Sequence, residues 1–185
     1  MKVEILDRTK KKKIMEKISE NYGINDIDGL FIKTGKEKIR MFSGEIGWGE
    51  LNEFAKSVHI EIVGLQLCTV IDDEVRLNFD AINLPEIKNE IIKENKNIFE
   101  VNEEQIKIWL NGDNLDFDDE PFENPKNPER ILGLEVSETS RVPKPRKTFE
   151  GDFIVVKNKN DLFGVGKNRK TYVQNYVPKE RRVRR

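Results

Sequence analysis

The chain has a single cysteine, Cys68, and a single histidine, His59, among 185 residues. One thiol excludes an intrachain disulfide, and one thiol with one imidazole is too small a set of soft ligands for a structural zinc site, so both residues read as core or strand positions. Long apolar runs are missing as well. Each hydrophobic stretch is broken by charge well short of the roughly 20 residues a membrane helix needs, which argues against a membrane span. The opening Met1-Lys2-Val3-Glu4-Ile5-Leu6-Asp7 has no apolar region ahead of its lysines and does not look like a secretory signal, which makes the cytoplasm the expected compartment. Neither a G-x-x-x-x-G-K-[ST] loop nor a strand-linked G-x-G-x-x-G is present, which removes the usual phosphate cradles. His59 has no nucleophilic serine motif beside it. The many carboxylates fall in turns and in one loop, where solvation leaves them ordinary acids. The expectation is a chain with no catalytic residues, no cofactor and no metal.

What the chain does have is charge, placed unevenly. Residues 141 to 185 hold 14 Lys+Arg against 4 Asp+Glu, a balance of +10, whereas the preceding 140 residues hold 19 against 30, a balance of −11. The overall charge of −1 conceals this opposition. A basic end suits a polyanion, because lysines and arginines displace counterions from phosphates. A disordered basic tail has the same composition.

The pattern along the chain predicts an α+β protein. A first helix is capped by Asp7, carries Ile14, Ile18 and Tyr22 at four-residue spacing and ends at Gly23. Two β-favouring runs, Gly29 to Thr34 and Lys38 to Phe42, form a hairpin through Gly35. Trp48, Leu51, Phe54 and Ala55 recur at helical spacing and are expected in the core. From His59 the period becomes that of strands: Ile60 and Ile62, then Leu65, Leu67 and Thr69, the acidic turn Asp72-Asp73-Glu74, and a last strand through Val75, Leu77 and Phe79. Lys88 to Asn97 is a polar, helical connection after Pro85, and the domain boundary is expected between residues 96 and 97. Asn102 and Gln105 then open a helix with Ile106, Trp109 and Leu110, which Gly112 closes. Residues 113 to 130 are an acidic, proline-broken loop, Ile131 to Val136 a strand, and Arg141 to Lys147 an exposed basic segment. Phe153 to Val156, Leu162 to Val165 and Tyr172 to Val177 are further strands, with a frayed basic tail from Lys179 to Arg185. Gly164 and Gly166 lie within a strand and signal close backbone packing or a bulge.

The stretch from Glu150-Gly151-Asp152 through Phe153-Ile154-Val155-Val156 and the turn Lys157-Asn158-Lys159-Asn160-Asp161 to Leu162-Phe163-Gly164-Val165-Gly166-Lys167 resembles the signature hairpin of PUA domains. Continuing to Asn175-Tyr176-Val177-Pro178, it resembles the C-terminal PUA-like module of the RsmF and Sun/Fmu RNA cytosine-C5 methyltransferases. Val63-Gly64-Leu65-Gln66-Leu67, Val75-Arg76-Leu77 and Asp80-Ala81-Ile82 are similar to the linker domain ahead of that module, and Ile106 to Gly112 looks like its opening helix. Ribosome-assembly factors built from a pre-PUA and a PUA domain share this layout. The likeness spans residues 40 to 185 and is strongest at the end of the chain. Those enzymes also need a cofactor-binding sheet and a catalytic cysteine pair, whereas Cys68 stands alone between Leu67 and Thr69. The resemblance therefore implies a relative that keeps the RNA-handling half: an α+β pre-PUA-like domain over residues 1 to 96 and a β-rich PUA-like pseudo-barrel over 97 to 185.

On that reading Lys144, Arg146 and Lys147, the turn residues Lys157 and Lys159, the group Lys167, Arg169 and Lys170, and the late Lys179, Arg181 and Arg182 form a cationic face, brought together because a compact barrel gathers its turns. Tyr172 or Tyr176 either stacks on an unpaired base or fills the core. The expected function is non-catalytic RNA binding in ribosomal or transfer RNA maturation, with structured RNA as partner and a separate RNA methyltransferase or ribosome-assembly factor beside it. The alternatives are a protein-interaction adaptor in ribosome assembly and an RNA-modifying enzyme with a carboxylate cluster in a cleft.

Overall fold

The computed structural model describes residues 3–58, 62–117 and 149–183. His59 and Ile60, most of the acidic stretch, the strand expected at Ile131 to Val136 and the basic Arg141 to Lys147 lie outside the described residues. Strand β1 (Val3–Ile5) leads into helix α1 (Arg8–Tyr22). Asp7 caps that helix by accepting from the Lys10 amide at 2.9 Å. Met15, Ile18 and Tyr22 are its buried face. Strands β2 (Leu30–Thr34) and β3 (Lys38–Phe42) form the expected hairpin.

Helix α2 (Trp48–Ser57) begins where the Glu50 carboxylate accepts from the Gly47 amide at 3.1 Å. Its expected core stripe is corrected at Phe54, which is 56% exposed while Leu51 is buried. The helix packs on β1, an edge strand of only three residues that is shorter than the helix it faces. Strand β4 (Leu65–Ile71) starts later than its period suggests, and Ile62 lies outside it at 71% exposure. The delay has a backbone cause. Gly64 takes a left-handed φ of +68°, and a Cβ there would collide with the Met41 carbonyl. Asp72 and Asp73, both at positive φ, turn the chain into β5 (Glu74–Leu77), which ends before Phe79.

A 3-10 turn (Ala81–Asn83) precedes α3 (Pro85–Glu94), which has proline at its first position. Next come β6 (Ile98–Glu100) and α4 (Glu103–Asn111), whose N-terminus is the predicted capping box, with Asn102 and Gln105 bonded reciprocally at 2.8 and 3.0 Å. After β7 (Leu115–Asp116), the described chain resumes with β8 (Phe153–Asn158), β9 (Asp161–Asn168) and β10 (Tyr172–Gln174).

These elements make an α+β protein with two five-stranded sheets and four helices among the described residues. The first sheet runs β1-β2-β3-β4-β5, antiparallel throughout. The second runs β6-β8-β9-β10-β7, with only the β6–β8 pair parallel. Among the described residues neither sheet closes into a barrel. The second does curl: Phe99 on edge strand β6 meets Phe117, just past the opposite edge strand β7, with ring centroids 5.3 Å apart.

The main core is shared by both sheets. It joins α1 and the first sheet to Phe153, Val155, Leu162 and Val165, so it runs across the 96/97 division, which falls between α3 and β6. A second cluster around Trp109 fills the curl of the second sheet. Gly164 and Gly166 sit against that indole, and its Nε1 donates to the Phe163 carbonyl at 2.7 Å, the close packing their sequence suggests. On β5, the Tyr22 hydroxyl donates to the Val75 carbonyl at 3.4 Å and accepts from the Leu77 amide at 3.2 Å. One side chain thus occupies the outward backbone groups of an edge strand.

Two expectations at the end of the chain are corrected. The strand from Tyr172 stops at Gln174, because the Asn175 side chain turns the chain by donating to the Trp109 and Asp113 carbonyls at 2.6 and 3.0 Å. The tail is not frayed through Val183. A 3-10 turn (Lys179–Arg181) is held where Arg181 pairs with Asp80 at 2.7 Å, Arg182 Nε donates to the Val177 carbonyl at 3.0 Å and the Val183 amide to Leu110 at 3.0 Å.

Candidate functional site

The β4–β5 ribbon has two faces. Register pairs Thr69 with Arg76 and Ile71 with Glu74, and strand alternation sends these four side chains to the face opposite Cys68, Val70, Val75 and Leu77. The segment after β10 and the start of the β8–β9 hairpin face them from the second sheet. Between the two lies a groove made of two adjoining cavities, of about 210 and 550 Å³, that share Thr69, Ile71, Arg76 and Tyr176.

At the smaller end Lys167 Nζ lies 2.6 Å from both oxygens of Glu74, bridging the sheets, and Phe153 sits opposite Lys167 in register. The Arg76 guanidinium carbon is 4.2 Å from the centroid of the Tyr176 ring, a stacked cation–aromatic pair. The wider end is bordered by Lys38, Lys179 and Arg182 together with Glu37 and Glu180. Among the described residues, five cations and four carboxylates therefore line the groove. Such a lining can hold phosphates at separated points and stack one flat ring, and it discriminates against a continuous run of negative charge.

Of the residues expected in a cationic face, Lys167, Lys179 and Arg182 meet in this groove. Arg169 and Lys170 stand just beyond Lys167 in the β9–β10 turn. There Arg169 Nε donates to Gln174 Oε1 at 2.8 Å, and Lys170 is exposed. Tyr172 is half-buried opposite Asp116 on β7, and Arg181 is turned to Asp80. Lys157 and Lys159 belong to the other turn of the hairpin, where they pair with Glu100 at 2.7 Å and Glu103 at 3.7 Å. The expectation that the turns gather is corrected: consecutive turns of a meander lie at opposite ends of the strand between them. The eight residues of β9 span roughly 25 Å. Lys144, Arg146 and Lys147 lie outside the described residues.

Reading the sequence by charge blocks missed Lys38 and Arg76, which sit in the acidic part of the chain. The signal that finds Arg76 is the two-residue alternation of Glu74 and Arg76 opposite Thr69 and Ile71, and Lys38 follows from its register beside Thr69. Fold and groove together define an α+β protein with a mixed-charge, partly aromatic groove between two sheets. A scan of protein-family models and a search of curated proteins both find no match to the chain. Among the described residues no helix is long and apolar enough to cross a membrane.

Proposed function

We propose that this protein binds RNA without catalysing a reaction on it, in ribosomal or transfer RNA maturation, and that the groove between the sheets is its RNA-binding face. The observation that carries the reading is a convergence: Lys167, Lys179 and Arg182 from the basic end of the chain border one groove with Lys38, Arg76 and the Tyr176 ring. Cations position the backbone and an aromatic or guanidinium plane takes an unpaired base. The approach of the second sheet's edges through Phe99 and Phe117 supports reading that half as a PUA-like pseudo-barrel. On this view any chemistry on the RNA belongs to a separate enzyme, such as an RNA methyltransferase.

Filter binding of a structured RNA between about 50 and 200 mM salt tests the reading. Affinity should fall with salt, and a Lys38→Ala/Lys179→Ala double variant should lower the slope by about 2, one per lost phosphate contact. Both lysines are exposed, and neither is ion-paired among the described residues, so the variant leaves the fold intact. An affinity indifferent to salt, or a double variant that behaves as the parent, overturns the proposal.

A second reading, an adaptor that docks proteins during ribosome assembly, draws on the exposed apolar side chains Ile46, Phe54, Val58 and Ile62 in and around α2. Purification with and without nuclease separates the two, because nucleic acid carried through the columns belongs to the first reading alone.

A further inference from the structure

Carboxylates repel phosphate, yet Asp72 and Glu74 line the smaller end of the groove. At about 210 Å³ this end is on the scale of one nucleobase rather than a length of backbone. Its walls hold what a base needs. The Arg76 guanidinium, stacked on Tyr176, presents a planar surface of the kind on which bases lie. Glu74 is two residues from Arg76 on the same strand and so leaves the same face of the sheet, with the Lys167 ammonium 2.6 Å from both its oxygens.

A carboxylate accepts hydrogen bonds through two oxygens, and an ammonium only donates. The pair therefore complements a base edge on which two donors stand beside an acceptor. Guanine has that edge: N1–H and the N2 amino group are neighbours, next to O6. Adenine and cytosine offer one amino group flanked by an acceptor nitrogen, and uracil offers one imino N–H between two carbonyls. Resting on the RNA-binding reading above, we propose that this end of the groove is a subsite for an unpaired guanine. The base takes over the position between the two Glu74 oxygens that the Lys167 ammonium bridges: Glu74 accepts from N1–H and the N2 amino group, Lys167 moves aside to donate to O6, and the Arg76–Tyr176 stack supports the ring. Asp72 at the β4–β5 turn helps to keep phosphate out.

Fluorescence anisotropy with short oligouridylates carrying a single guanosine, inosine or adenosine tests this. The guanosine oligomer should bind about tenfold more tightly than the adenosine one, as a bidentate contact implies. Inosine, which keeps N1–H and O6 but lacks the N2 amino group, should fall between them. Glu74→Gln replaces one acceptor with a donor and should bring the guanosine-to-adenosine ratio close to one. The inosine measurement on the unaltered protein keeps the test independent of how that variant folds. Oligomers that all bind alike, or a preference for adenosine, overturn the guanine subsite and leave RNA binding standing. Failure to bind any of them or a structured RNA overturns both.

Discussion

On one face of the β4–β5 ribbon, Cys68, Val70, Val75 and Leu77 belong to the core shared with α1. On the other, Thr69, Ile71, Glu74 and Arg76 border the groove. The two sets alternate along the eight paired residues of the ladder, Cys68 to Ile71 and Glu74 to Leu77. Stability and binding are thus assigned to different residues of one ribbon by the pleat itself, and a slip of one residue would exchange them. Substitution on each face should therefore give a different kind of loss.

The largest effect is expected from Leu77→Ala on the core face. Leu77 is fully enclosed, and its truncation should cost about 3 kcal/mol, within the 2 to 5 typical of such cavities, read as a lower urea midpoint at unchanged slope. A cost comparable to that of an exposed position would erase the distinction between the faces. Cys68 offers a second measure of the same face. Burial pushes its thiol up to about 12 from an ordinary 9.0. The folded state holds this proton more tightly than the unfolded chain, so the stabilisation is whole below pH 9.0 and is lost as pH rises from there towards about 12. The loss amounts to about 1.4 kcal/mol per pH unit. Burial pushes the Tyr22 hydroxyl up as well, and it steepens the alkaline decline in the same direction. Comparing the parent with Cys68→Ala removes most of the tyrosine's part, because burial is the main cause of its shift and Cys68 a lesser one. The variant should show the shallower dependence across that window, and identical slopes would mean that Cys68 is not enclosed as the core requires.

Local signals made much of this fold legible in the sequence. Asp7 and Gly23 bound α1, Asn102 and Gln105 open α4, and the positive-φ aspartates turn β4 into β5, because each acts through hydrogen bonds or backbone conformations within a few residues. Phe54 shows where periodicity stops being informative: helical spacing marks an apolar face, but how much of it is covered depends on the width of the partner, here the short β1. The groove was half legible. Lys167, Lys179 and Arg182 stood out as part of a basic block, while Lys38 and Arg76 lie in the part of the chain whose overall balance is acidic and reach the groove only through the pairing of β3, β4 and β5. The block also drew in Lys157 and Lys159, whose charges are matched by Glu100 and Glu103 at the far end of β9. Linear charge density carries no information about which end of a hairpin a lysine occupies, and the pairing that decides it is non-local.

The smallest effect on stability, and the sharpest test of the two-faced ribbon, belongs to Arg76→Ala. Arg76 neighbours Val75 and Leu77 in sequence, yet its side chain is half-exposed and its guanidinium lies over the Tyr176 ring. A cation–aromatic contact at so open a position contributes about 0.5 to 1 kcal/mol, so the variant should unfold close to the parent's midpoint. Loss of the stacking surface should weaken RNA binding by far more than that small change in folding, by roughly tenfold on the 1 to 3 kcal/mol scale of base stacking. If Arg76→Ala instead lowered stability as much as Leu77→Ala and left RNA binding alone, the outer face would be a second structural surface. The Arg76–Tyr176 stack would then serve only to hold the two sheets together.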